Sequence, residues 1–273
     1  MIRDITIGQY YSKESLVHKL DPRTKLIGTV VYIISMFCFQ RFLGFVLSFT
    51  FLALVVGLSK VPVKHILKGL KPIAIILVFT MAINMLFSNG TPIIKWGVIS
   101  ISWKGIRDGV FMGIRLCLLV FGASMMTFTT TPNNLTDGLE NLFHPLKKLH
   151  VPVHEISMMM SIALRFIPIL LEETDKIMKA QMARGADFET GGLIKKAKSL
   201  IPIIVPLFVS AFRRANDLAM AMEARCYRGG EGRTKMKPLH YEKRDYLAFT
   251  VLVGYLVLLF VLIHYVPRLD LLP

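Results

Sequence analysis

The stretch from Leu26 to Leu58, LIGTVVYIISMFCFQRFLGFVLSFTFLALVVGL, holds no Asp, Glu or Lys, and its only full charge is Arg41 beside Gln40. A helix that crosses a bilayer needs roughly 20 mainly apolar residues, so this run is long enough for two crossings joined by a tight turn at the polar pair. Further runs free of acids and lysine lie at about 73–94, 109–132 and 246–267. Together they predict five spans, at about 26–40, 42–58, 72–88, 105–130 and 246–266.

Composition agrees: of 273 residues 53% are hydrophobic, with a mean hydropathy of +0.54, too apolar for a water-soluble domain of this length. The formal charge of +15 raises nucleic acid as a partner, and the placement of the charges argues against it. Residues 1–25 carry five Lys/Arg, 59–71 carry four and 131–245 carry eighteen, whereas the alternate side has Arg41, Lys95, Lys104 and Arg268. Basic loops stay in the cytoplasm. The reading is a multi-pass cell-membrane protein with a cytoplasmic N-terminus and an extracellular C-terminus, partnered by the lipid bilayer and not by nucleic acid. Charges at Arg3, Asp4, Lys13, Glu14, Lys19, Asp21 and Arg23 interrupt any apolar leader, so no removable signal peptide is expected. Cys38, Cys117 and Cys226 are far apart and support neither a disulfide framework nor a zinc site; the first two read as small buried hydrophobes inside spans.

Residues 1–130 divide into an N-terminal arm and four spans, 131–245 into a cytoplasmic, membrane-proximal coupling domain, and 246–273 into the last span and an outer tail. Residues 60–71 form a basic inner loop, and the turn formers Ser88, Asn89, Gly90, Thr91 and Pro92 open an exposed loop or short hairpin. Trp96 and Trp103 fit an outer interfacial belt. Gly105, Gly109 and Gly113 recur every four residues along the fourth span, either as a face on which another helix packs closely or as an instance of the general glycine content of membrane helices. In the coupling domain, a short helix near 134–148 precedes long helices near 153–188 and 199–228. Pro168 is expected to kink the first, and Pro202 and Pro206 fall in the opening turns of the second. The fold class is thus all-α integral membrane protein, about five transmembrane helices plus a cytoplasmic domain of two long helices and a shorter one.

Near the ends of both long helices one pattern repeats: Ala180, Gln181, Met182, Ala183, Arg184, Gly185, then Ala221, Met222, Glu223, Ala224, Arg225, Cys226. Small residues slim the helix so that the arginine projects into a groove, where its planar fork can grip carboxylates. A solvated arginine that merely complements the helix dipole is the plainer reading for a single copy; two copies at equivalent ends suggest two matching sockets.

At this point the sequence resembles the T component of energy-coupling factor (ECF) transporters, EcfT. The resemblance rests on Gly8 to Leu26 (GQYYSKESLVHKLDPRTKL), Thr129 to Leu149 (TTTPNNLTDGLENLFHPLKKL), Ala163 to Pro168 (ALRFIP), Ala180 to Phe188 (AQMARGADF) and Ala219 to Thr234 (AMAMEARCYRGGEGRT), in this order. It implies a subunit that links two cytoplasmic ABC ATPases (EcfA and EcfA′) to a substrate-binding S component for vitamin or micronutrient uptake. It also implies that Ala183, Arg184, Gly185 and Ala224, Arg225, Cys226 dock into the ATPases, the second motif departing from the family's Ala-Arg-Gly at Cys226. No cofactor is then expected on this chain, ATP and Mg being bound by the partner ATPases, and no catalysis.

Methionines crowd the long helices, among them Met158, Met159, Met160, Met178, Met182, Met220 and Met222. They make either an adaptable S-component interface or ordinary packing. Arg115, deep in a span, needs a backbone carbonyl, a hydroxyl or a group on another subunit. Asp21, Pro22, Arg23 and Lys25 read as a capped helix start with proline in its first turn. The alternative function is a stand-alone ion-coupled carrier or channel, which would ordinarily place acids or histidines deep in the bilayer; here Asp108 and His264 stand near span ends. There is no H-E-x-x-H, G-x-S-x-G or Walker sequence, and Pro152 between His150 and His154 weakens a metal pair.

Overall fold

The computed structural model describes residues 10–39, 42–70, 73–87, 92–96, 99–186, 188, 192–230, 236 and 238–265. They form α1 (Pro22–Phe37), α2 (Phe42–Ser59), α3 (Val63–Leu70), α4 (Ala74–Phe87), a hairpin of β1 (Pro92–Trp96) and β2 (Ile99–Ser102), α5 (Trp103–Thr129) and α6 (Pro132–Phe143), which tightens into a 3-10 turn (His144–Leu149). Then follow α7 (Val153–Ala183), α8 (Leu193–Ser199), α9 (Ile201–Ala224) and α10 (Lys243–Tyr265). Apart from the antiparallel hairpin, in which Trp96 pairs with Ile99, the described chain is helical. Backbone N–H and C=O groups have no water partner in hydrocarbon, so a spanning segment must satisfy them internally as a helix does.

Among the described residues, four helices are long and apolar enough to cross a membrane: α2, α5, α7 and α10. Two expected spans are shorter, α1 at 16 residues and α4 at 14. The fourth candidate, α7, falls in the segment assigned above to the coupling domain. Its apolar first half meets the compositional requirement, while Glu172, Glu173, Asp175, Lys176 and Lys179 make its second half polar. The inner loop after Lys60 contains a helix that was not anticipated, α3, although Val63, Ile66, Leu67 and Leu70 stand at i, i+3, i+4 and i+7. Its Ile66 is buried. Lys71 and Pro72, the turn formers 88–91, and Arg268 lie outside the described residues.

The chain divides into two compact units, one of residues 8–138 and 239–273, the other of 1–7 and 139–238. In the first, Tyr32, Met36, Phe45, Leu52, Leu118, Met125, Phe128, Tyr255 and Leu259 form a buried cluster. The Tyr255 hydroxyl lies 2.8 Å from Ser35 Oγ and 2.9 Å from Ser48 Oγ, tying α10 to α1 and α2. Such bonds hold helices together where lipid offers no hydrophobic drive for them to associate. Close approach does the rest: a Cβ on Gly122 would stand 2.6 Å from Tyr32, and one on Gly109 would stand 2.9 Å from Met85. Gly105, Gly109 and Gly113 are all buried, and Gly109 and Gly113 face Met81 of α4. Arg115 donates to Phe39 O at 2.7 Å, just past the end of α1, and sits over the Phe45 ring. The backbone carbonyl is thus its partner among those considered. Cys38 is exposed at the C-cap of α1 and Cys117 half-buried, so neither is as buried within the chain as expected: Cys38 stands past the end of its helix, and Cys117 is only partly covered by its neighbours.

Asp21 caps α1 by accepting from Arg23 N at 2.8 Å, with Pro22 at the first position. Asp245, 1% exposed, accepts from Asp21 N (2.8 Å), Thr24 Oγ1 (3.2 Å) and Glu242 N (2.9 Å). It therefore caps α10 and clasps α10 to the head of α1. Arg23 pairs with Asp21, donates to Leu239 O at 3.0 Å and stacks over Tyr241, while Lys25 Nζ donates to His18 O and Thr129 O. His18 in turn bridges Ser15 Oγ and Tyr11 O, an arrangement that neutral imidazole satisfies; burial, first, and the Lys25 charge hold its pKa below the ordinary value despite the Tyr11 carbonyl. Replacing Asp245 by alanine would strand three donors, at about 1–3 kcal/mol for each that stays buried. Thermal unfolding should show Asp245→Ala losing several degrees, and Glu242→Ala, on the exposed rim, losing little.

Candidate functional site

The repeated arginine motifs belong to the unit of residues 139–238, which is built on α7 and α9. Gln181 near the end of α7 donates to Pro202 O at the start of α9. Further along, Glu173 accepts from Ser210 and, at 2.9 Å, from Arg214. Earlier still on α7, Ile162 and Phe166 share a cavity of about 290 Å³ with Leu218 and Met222 near the end of α9. Rising positions on α7 therefore meet falling positions on α9, and the two helices run antiparallel. Equivalent ends of the helices are opposite ends of the pair. Arg184 stands level with the start of α9 and Arg225 at its finish, so the 24 residues of α9, roughly 36 Å at 1.5 Å per residue, separate the tips.

Both tips end in the same way. Gly185 N donates to Met182 O (2.9 Å) and Ala186 N to Gln181 O (3.0 Å); Cys226 N donates to Glu223 O (2.8 Å) and Tyr227 N to Met222 O (3.0 Å). These are two Schellman closures, each with arginine at the C-cap and a left-handed residue after it: Gly185 at φ +88° and Cys226 at φ +56°. The closures explain why the helices stop at Ala183 and Ala224 rather than near 188 and 228, since a left-handed residue ends the hydrogen-bond ladder. They also explain the third letter of the motif, which the sequence reading took as clearance for a partner. Glycine is there first because the backbone turns left-handed. Cys226 adopts that conformation with a side chain, which costs about 1–2 kcal/mol.

Ala180, Ala183, Arg184, Gly185 and their counterparts Ala221, Ala224, Arg225 and Cys226 are all exposed, and neither arginine forms an ion pair among the described residues. Each arginine is the C-cap of its helix, where the helix dipole favours a positive charge. Of the methionines, Met159, Met160, Met182 and Met220 are exposed, while Met158 is half-buried and Met222 lines the cavity between the helices. The exposed four give one helical pair a polarizable, adaptable surface. Arg115, grouped with Met158, Met159 and Met160 as an interface candidate, belongs to the other unit.

At the foot of α7, Glu140 accepts from Ser157 Oγ (2.9 Å) and contacts His154 Nδ1 (3.0 Å), and a Cβ on Gly230 would stand 2.4 Å from the His154 ring. This knot joins α6, α7 and the strand of chain after the second tip. It uses His154 for packing, and His150 sits apart as the exposed left-handed residue that closes the 3-10 turn. Sequence reading missed the knot because Glu140 is 14 residues from His154, beyond any local pattern.

Known proteins resemble the chain over most of its length. The family model described as CbiQ, cobalt transport protein, matches residues 13–236. The chain is 56% identical over 256 residues to the energy-coupling factor transporter transmembrane protein EcfT of Ruminiclostridium cellulolyticum, covering 94% of this chain and 96% of that one. It is 52% identical to the EcfT of Clostridium kluyveri, covering 91% and 93%. To the EcfT of Bacillus subtilis it is 47% identical, covering 96% and 99%.

The two closures predict opposite responses to substitution. Cys226→Gly should stabilise the fold by about 1 kcal/mol and raise the unfolding midpoint, and Gly185→Val should destabilise it by about as much or more and lower the midpoint. Thermal denaturation of the purified chain measures both.

Proposed function

The chain belongs to the family of energy-coupling factor transporter transmembrane proteins, EcfT, and on that footing we propose that its two arginine tips couple a pair of cytoplasmic ABC ATPases to a substrate-binding S component in the membrane. The observation that carries the reading is the matched pair of Schellman-closed tips. The same local geometry, with an exposed arginine that forms no ion pair among the described residues, occurs at both ends of one antiparallel helix pair. Two similar plugs roughly 36 Å apart along a helix suit two related sockets better than one.

The proposed mechanism is mechanical. When ATP draws the ATPases together, each socket carries its tip with it. Because the tips sit at opposite ends, a change in socket spacing becomes a shift of α7 over α9. The interface between these helices is suited to such movement. Ala211, Ala215 and Ala219 line the cavity between them, leaving space that a close-packed core would not have, while Glu173 with Ser210 and Arg214 forms a hinge-like polar tie near the middle. The exposed methionines offer the S component a surface that can repack against more than one partner. ATP and Mg are bound and turned over by the ATPases, this chain binds no cofactor and catalyses no reaction, and the cargo is a vitamin or micronutrient selected by the S component.

Charge reversal tests the docking. Arg184→Glu with Arg225→Glu should abolish co-purification of the ATPase pair, while either change alone weakens it and membrane insertion is retained; a double variant that still assembles and supports uptake would overturn the role of the tips. The basic loops favour a cytoplasmic N-terminus and 131–245 segment and an outer C-terminus. Reporter fusions should therefore be active for the cytoplasm at residue 150 and for the exterior at residue 270.

A further inference from the structure

The unit of residues 8–138 and 239–273 contains an apolar groove that neither its helical packing nor the coupling mechanism uses. Its volume is about 230 Å³, and its walls are the turn before α1, the first half of α1, the second half of α2, and the ends of α5 and α10 that lie at the same level. Tyr32, Phe51, Leu54, Met126 and Val251 line it, and at Gly28 the helix surface is bare: a Cβ there would meet nothing within 4 Å. The only charged residues in the lining are Lys25 and Arg244, which lie near the helix ends where the chain's basic loops gather.

We propose that this groove holds an acyl chain of an anionic phospholipid, with the phosphate held by Arg244 and Lys25. Three of the walls, from α2, α5 and α10, belong to helices long and apolar enough to span a bilayer, and Leu54, Leu58, Leu247 and Val251 on their rim are exposed large hydrophobics. An apolar cavity stays dry in water, whereas in a membrane hydrocarbon is the solvent at hand.

The charged end decides which lipid. Lys25 Nζ has three donors and uses two, on His18 O at 2.9 Å and Thr129 O at 2.8 Å, which fix the ammonium in place and leave a third free. Arg244 is paired with Glu242, but both side chains are about half exposed, and exposed pairs contribute only about 0–1 kcal/mol. A phosphate, which accepts guanidinium bidentately, can displace that carboxylate. Lys243 next to Arg244, and Lys60 two residues past Leu58, add positive charge at the same level. The complement is a negatively charged headgroup at the membrane surface that faces the basic loops, where anionic lipids attract cationic side chains.

The assembled transporter, reconstituted in nanodiscs of equal phosphatidylglycerol and phosphatidylcholine, provides the test. One lipid at a time carries a photoactivatable acyl chain, and labelled peptides are identified by mass spectrometry. Peptides containing Leu54 to Leu58 and Leu247 to Val251 should be labelled about fivefold more by phosphatidylglycerol, the factor that one cation near an anionic surface supplies. Arg244→Gln, an exposed change, should bring the two lipids towards parity with total labelling little altered. Gly28→Leu should fill the groove and cut labelling by both lipids. Equal labelling by both lipids in the unaltered protein would overturn the proposal. So would labelling unchanged in Gly28→Leu that still assembles, or cross-linking of a photoreactive residue at Leu54 to a partner protein instead of lipid. Should Gly28→Leu fail to assemble, the Arg244→Gln comparison decides alone.

Discussion

One buried carboxylate closes the membrane unit. Asp245 takes the backbone N–H of Asp21, the hydroxyl of Thr24 and the N–H of Glu242, so the first turn of α10 and the head of α1 share a cap. The same few residues hold the chain where it leaves this unit and where it returns. Gly138 packs on Pro22 and Leu26 so closely that a Cβ would stand 3.0 Å from Pro22, and Arg23 takes Leu239 O. The residues between, 139–238, carry the arginine tips. The links into residues 139–238 therefore begin and end beside Pro22 and Arg23. That gives a physical reason for so many polar bonds at one short turn, where each remaining unsatisfied would cost about 1–3 kcal/mol.

The two units answer different physical demands. Around Tyr32, Tyr255 and Gly122, helices approach closely and the Tyr255 hydroxyl is bonded to Ser35 and Ser48, the kind of interhelical tie that holds helices together in a bilayer. Between α7 and α9 the contact is looser, with a stripe of alanines beside a cavity and a single charged tie. The closures at Gly185 and Cys226 stop each helix abruptly and leave the arginine at its very tip.

Much of this was legible from residue order alone. Apolar runs announced the helices at 42–59, 103–129 and 243–265, because hydrocarbon allows few other structures; Asp21 followed by Pro22 announced the start of α1, because capping is local; and the repeated Ala-Arg pattern announced two equivalent tips. The helix α3 was legible too, in the spacing of Val63, Ile66, Leu67 and Leu70, but was hidden by the lysines among them. What residue order could not supply depends on partners distant in the chain. Nothing near Asp245 indicates that it caps a helix more than 200 residues earlier, nothing near Arg115 singles out Phe39 O among all the carbonyls available, and Glu140 gives no sign of His154. The antiparallel pairing of α7 and α9 is of this kind, since the motif states that both helices end alike and is silent on whether those ends lie together or apart. Local sequence sets backbone conformation within a turn or two, through capping, propensity and left-handed closures, whereas the meeting of distant side chains follows from packing the whole helical set at once.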